Sequence, residues 1–93
     1  MQALWTHEAV ASLREVYRYI ARDRPATAAR TIESIVAKVA SISAQPSLGQ
    51  RYPHEPPGVR HLTYGHFRIG YRVRDDGAVE VLGIFDGRPF PRV

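Results

Sequence analysis

Cysteine is absent from this chain of 93 residues, which removes disulfides, thiol catalysis and cysteine-ligated metals from consideration. Lysine is nearly absent as well: Lys38 stands alone, so the rest of the 13 basic side chains are arginines. Arginine-rich codon usage produces the same ratio, so the positions of the arginines inform more than their number. No run approaches the roughly 18 apolar residues of a membrane span. The opening MQALWTHEAV lacks a basic segment followed by an apolar one, so the expectation is a soluble, cytoplasmic protein with no membrane partner. Neither a P-loop nor a G-x-G-x-x-G fingerprint is present, and the 4 histidines and 9 acids show no H-x-x-H or H-E-x-x-H spacing. No cofactor and no metal are expected.

What is present fits one domain over residues 1–93, built around one core. The net charge of +4 favours acidic partners through long-range attraction without naming them. Arginine's planar fork suits bidentate contact with phosphate or carboxylate.

The most informative stretch is Val59 to Arg88. Phe67, Ile69, Tyr71 and Val73 alternate with Arg68, Gly70, Arg72 and Arg74. Successive strand residues point to opposite faces, so one face is apolar and the other carries arginines. The apolar face needs a cover, and two amphipathic helical patterns lie just upstream. Thr6 is a fitting N-cap with Glu8 in the first turn, followed by Val10, Leu13, Val16, Tyr17, Ile20 and Ala21 at helical spacing to about Arg22. Asp23-Arg24-Pro25 interrupts that pattern, and a second helix is expected from Pro25 to Ala44 with Ala29, Ile32, Val36 and Val39 inward and Ile35 and Ile42 widening the stripe.

From Ser47 to Gly58 the sequence holds three prolines and two glycines, which reads as a surface loop without regular structure. Strands follow at Val59 to Tyr64, Phe67 to Arg74 and Val79 to Phe85, joined by Gly65-His66 and Asp75-Asp76-Gly77. The expected fold class is α+β: an N-terminal helical hairpin packed on a small antiparallel sheet in β-α-α-β-β-β order, with Leu4 in a first edge strand.

This layout, with D-x-P at the helical bend, a P-x-L-G-x-R loop (Pro46, Leu48, Gly49, Arg51), a V-R-H-L strand and an F-R-I-x-Y-R-V strand, resembles the RelE/ParE superfamily of bacterial type II toxin-antitoxin toxins. The resemblance implies growth inhibition, a cognate antitoxin protein as partner, and one of two targets. RelE-like members bind the ribosome and cut mRNA, whereas ParE-like members poison DNA gyrase without nuclease chemistry.

A ribonuclease site of this kind needs an acid, a base and cations at the phosphate. The resemblance offers Arg60, Arg68 and Arg88 as cations. Family members commonly carry a histidine after the last strand in a pattern like L-H-G-R, but this chain reads Phe85-Asp86-Gly87-Arg88, and Phe90 supplies no hydroxyl. Asp86 donates a proton near neutral pH only if its pKa rises far above about 3.9. His54 and Glu55 in the proline-rich loop are the other acid-base candidates, each with the plain alternative of an exposed loop residue. His61 is expected on the helix-facing side as a structural histidine, His66 in a hairpin turn, and His7 in a helical first turn.

The missing histidine and lysines point to a ParE-like gyrase inhibitor that is not an enzyme. An endoribonuclease acting on ribosome-bound mRNA, or a detoxified module that only binds antitoxin, are the alternatives. Arg68, Arg72 and Arg74, with Arg60 and Arg88, are the expected partner-binding residues, because three arginines on one face need an acidic segment to neutralise them.

Overall fold

The computed structural model describes residues 3–86. A two-residue strand β1 (Leu4–Trp5) leads into helix α1 (His7–Ala21), then α2 (Pro25–Ala44), β2 (Val59–Tyr64), β3 (Phe67–Val73) and β4 (Val79–Asp86). Thr6 caps α1, its Oγ1 accepting the Ala9 N–H at 3.1 Å and donating to the Val81 carbonyl at 2.7 Å. One side chain thus closes the helix start and ties it to β4. Pro25 opens α2 at its first helical position, where a missing N–H costs nothing.

The β2-β3-β4 meander is antiparallel, as its hairpin turns require, but the whole sheet is mixed, with order β1-β4-β3-β2 and β1 running parallel to β4. The helical hairpin causes this: it returns the chain across one sheet face before the meander begins, so β1 joins the far edge in the direction of β4. Beyond Trp5 the edge of β4 is served by side chains. Ser12 Oγ accepts the Ile84 N–H at 2.8 Å while donating to the Ala9 carbonyl at 2.9 Å.

The core lies between the helices and the apolar sheet face, where Ile35, Val39 and Ile42 meet Phe67, Ile69, Tyr71, Val81 and Ile84. The inward stripe of α2 is Ala28, Ile32, Ile35, Val39 and Ile42, rotated from the expected one: Ala29 and Val36 are exposed. Tyr17 of α1 is exposed too. A helix rich in alanine and β-branched residues offers several stripes of similar hydrophobicity, and contact with the sheet selects one.

The expected structureless loop is more ordered than its prolines suggest. A short 3-10 turn (Pro46–Leu48) is followed by an antiparallel bridge between Gln50 and His61. The Tyr71 hydroxyl, at the end of a fully buried side chain, donates to the Pro46 carbonyl at 2.6 Å and accepts the Gly49 N–H at 2.7 Å. A Cβ on Gly49 would lie 2.6 Å from that hydroxyl oxygen, so glycine is needed for the approach. The segment also covers the outer edge of β2, with Gln50 bonding both backbone groups of His61 and the Pro56 carbonyl accepting from Val59 N–H.

Candidate functional site

The face of the sheet away from the helices carries the candidate site. Arg68 and Arg72 project from β3 on this face, and cross-strand pairing sets their neighbours: Thr63 and Phe85 beside Arg68, His61 and Gly83 beside Gly70, Val59 and Glu80 beside Arg72. Pairing fixes the face because directly opposite residues share it.

Gly70 and Gly83 are opposite each other, and the missing side chains leave a flat shelf on which the Phe85 ring rests. A Cβ on Gly83 would come within 2.9 Å of Phe85 Cζ, and one on Gly70 within 3.2 Å of its Cε2. The Arg68 guanidinium lies 5.6 Å from the centre of the same ring, a cation-π distance. Phe85 and Tyr52 are each close to half exposed, at 45% and 41%. With Thr63, His66 and Arg68 they border a shallow pocket of ≈ 340 Å³. This corner joins exposed aromatic surface to a cation that makes no ion pair among the described residues.

The other arginines of the stripe are already engaged. Arg72 donates through Nε and an Nη to Glu80 Oε1 at 3.0 and 2.8 Å, and Arg74, just past the end of β3, sits 3.8 Å from Asp76. The repulsion expected of three like charges is therefore relieved within the chain.

His61 lies on this arginine face and not on the helix-facing side. The two-residue turn at Gly65-His66 puts Tyr64 opposite Phe67, and counting back places His61 opposite Gly70. That parity was legible in the sequence, since hairpin length fixes register. The ring is buried under the proline-rich loop: Nε2 is 2.9 Å from Glu55 Oε1, and Tyr52 packs edge-on with centroids 5.1 Å apart. Nδ1 is buried without a hydrogen-bond partner, next to Gly70. One ring nitrogen is occupied and the other sealed, so the imidazole cannot reach a substrate in this arrangement.

Arg60 falls on the opposite face. It pairs with Tyr71 and donates to the Gly49 carbonyl at 2.8 Å. Its charge favours the phenolate of Tyr71, as does the Gly49 N–H, but burial outweighs both and raises the Tyr71 pKa above 10.0. His54 is exposed in the loop. Asp86 pairs with Phe67 and borders both the groove between α1 and β4 and the pocket beside Arg68 and Phe85. Arg88 lies outside the described residues. The structure thus places Arg68 and Arg72 on one face, brings Asp86 to the rim of the Arg68 pocket, and separates Arg60 from them. Phe85, Tyr52 and the glycine shelf had no sequence motif; strand register brings Phe85 to the glycines, and the loop's bridge and ring contact to His61 bring Tyr52.

Among the described residues no group of three or more histidines and acids has metal-binding geometry, and no helix is long and apolar enough to cross a membrane.

No curated protein matches the chain significantly. Among solved structures, a chain of the chromosomal ParDE toxin-antitoxin system of P. aeruginosa is similar, with a TM-score of 0.79 and 28% identity over 95% of this chain and 97% of that one. A chain of the RelBE2 toxin-antitoxin complex of Mycobacterium tuberculosis shares the fold, with a TM-score of 0.71 and 22% identity over 94% and 96% of the two chains. Residues 3–89 match the family described as the ParE toxin of the type II toxin-antitoxin system parDE. On that match, which spans both helices and all four strands, the chain belongs to the ParE toxin family of type II toxin-antitoxin systems.

Proposed function

We propose that this protein is the growth-inhibiting toxin of a type II pair, acting in the ParE manner by holding DNA gyrase inactive, and that a cognate protein antitoxin neutralises it. One observation carries the choice of a binding mechanism over a nuclease. On the helix-free face His61 has one nitrogen on Glu55 and the other buried, so the histidine carried by the strands of that face is not free for acid-base work, while Arg68 and Phe85 offer a cation and aromatic surface. Such a surface suits protein contact, where arginine and aromatic anchors dominate binding. The family match and the likeness to a ParDE chain support the same reading.

A second reading is favoured by the same corner: Arg68 over the Phe85 ring, with the exposed Tyr52 bordering the same pocket, also suits stacking of unpaired RNA bases on the ribosome. Induction in a bacterial host lacking the antitoxin, with labelled precursors followed into DNA and protein over the first minutes, separates the two. An early fall in DNA synthesis with a DNA-damage response is expected. An early fall in protein synthesis would transfer the assignment to the ribosome, and unhindered growth with soluble protein present would mark a module that binds antitoxin only.

A further inference from the structure

Arg60 combines partial burial with the lack of a counter-charge. Arg72 and Arg74 have carboxylates within the chain, but Arg60, half-buried on the opposite face, makes no ion pair among the described residues. One of its N–H groups is given to the Gly49 carbonyl, which fixes the guanidinium in place but cannot cancel its charge. A guanidinium carries five N–H groups, so most of the fork is left uncommitted. Partly burying a cation without a counter-charge is costly, and the cost is recovered when an anion arrives.

The surroundings are arranged for such an arrival. Arg60 lines a pocket of ≈ 420 Å³ with Arg51 and Ser47, and its rim is apolar and stiff, made by Pro46, Pro57 and Val73. Two locks hold the frame before anything binds: Tyr71 grips both ends of the 3-10 turn, and Gln50, next to Arg51, is bridged to β2. A preformed frame around a held Arg60 lowers the ordering cost on binding. The neighbouring rim, shared through Pro57, Gly58 and Val73, holds Arg72 and Arg74 together with Asp75 and Asp76, and both arginines are paired with carboxylates, so the unpaired cations do not continue as a track. That disfavours a nucleic-acid backbone, which needs cations at successive phosphates, and favours a single oxyanion flanked by apolar groups.

We propose that this pocket takes the carboxylate of an acidic side chain on a protein partner, with Arg60 and Arg51 as its cations and the Ser47 hydroxyl as a further donor. The site is separate from the Arg68 corner on the other face, and it stands whichever target the toxin acts on.

The test is an NMR titration of the isotopically labelled protein with the acetylated, amidated tripeptide Leu-Glu-Leu, following the arginine side-chain N–H signals and the Ser47 and Gly49 amides. Saturable shifts at these groups are expected, with at least tenfold weaker binding for Leu-Gln-Leu and for the Arg51→Ala variant. Arg60→Lys, which keeps the charge and loses the fork, is expected to weaken binding by a similar factor. Should that variant unfold, Arg51→Ala decides alone, because Arg51 is exposed and outside the Tyr71 lock. An equal response to the glutamine peptide, no response at all, or binding undiminished in Arg51→Ala would overturn the proposal. So would tighter binding of a short oligothymidylate at the same residues, which would make the site one for nucleic-acid phosphate.

Discussion

Replacing Tyr71 by Phe removes one oxygen atom and should be among the most damaging conservative changes in this protein. The hydroxyl donates to the Pro46 carbonyl and accepts from the Gly49 N–H, and Gly49 is itself buried. Phe fills nearly the same space, so the loss lies in two orphaned backbone groups and not in packing. Each buried, unpaired polar group costs about 1–3 kcal/mol. With some relaxation of the turn, a total of about 2–4 kcal/mol is expected, a large share of the roughly 5–15 kcal/mol that holds a domain folded. For a chain of this size that lowers Tm by about 10–20 °C. Urea denaturation should show a lower midpoint at unchanged slope, since the surface exposed on unfolding is the same. The pH dependence gives a second, independent readout. Burial raises the Tyr71 pKa above its unfolded value, so the folded state favours the neutral phenol. Its contribution is fully present below pH 10 and is lost as pH rises through the raised folded value. Wild type should therefore lose stability in that alkaline range relative to the Tyr71→Phe variant, which has no phenol to ionise there. A variant within about 0.5 kcal/mol of wild type at neutral pH, or an identical alkaline loss in both proteins, would refute the reasoning.

Three further outcomes are expected. Ser12→Ala removes the acceptor of the Ile84 N–H and should cost about 1–3 kcal/mol, with faster hydrogen exchange at Ile84 as the specific sign. Gly83→Ala pushes the Phe85 ring off its shelf; the fold should survive at a cost of about 1 kcal/mol, while the ring-current shifts on the Arg68 side chain diminish. Glu55→Ala releases the loop from His61 and should hasten limited proteolysis between residues 51 and 58, whereas Glu55→Gln, which keeps an acceptor, should leave the rate near that of wild type.

Much of the fold was legible because local signals agreed. Thr6 before an apolar period, Pro25 at a helix start and short turns at Gly65 and Gly77 fix both helices and the meander to within a residue or two. The inward stripe of α2 was less so: Ala29-Val36 and Ala28-Ile35 are comparably apolar rows, and only the sheet distinguishes them. The site was harder still. Alternation in β3 assigns Arg68 and Arg72 a common face, but Glu80, which neutralises Arg72, lies on another strand, and a bulge between Gly70 and Tyr71 separates that pair from Arg68. That bulge leaves Leu82 without a register partner and is what sets Phe85 beside Arg68, so plain alternation in β4 could not show it. Arg60 looked like one more member of a basic surface, and the parity of β2 separates it from the rest.

The shortest strand has a consequence in time. Leu4 and Trp5 pair with Glu80 and Val81, and Thr6 caps its helix while bonded to the Val81 carbonyl, so residues near the beginning find their seats only after those some 75 positions later exist. During synthesis the helical hairpin can form early, but neither the edge of β4 nor the shelf under Phe85 is available until that strand has left the ribosome. A nascent chain therefore cannot display the Arg68 corner, and a cell making this protein has until the last strand emerges before that surface can appear.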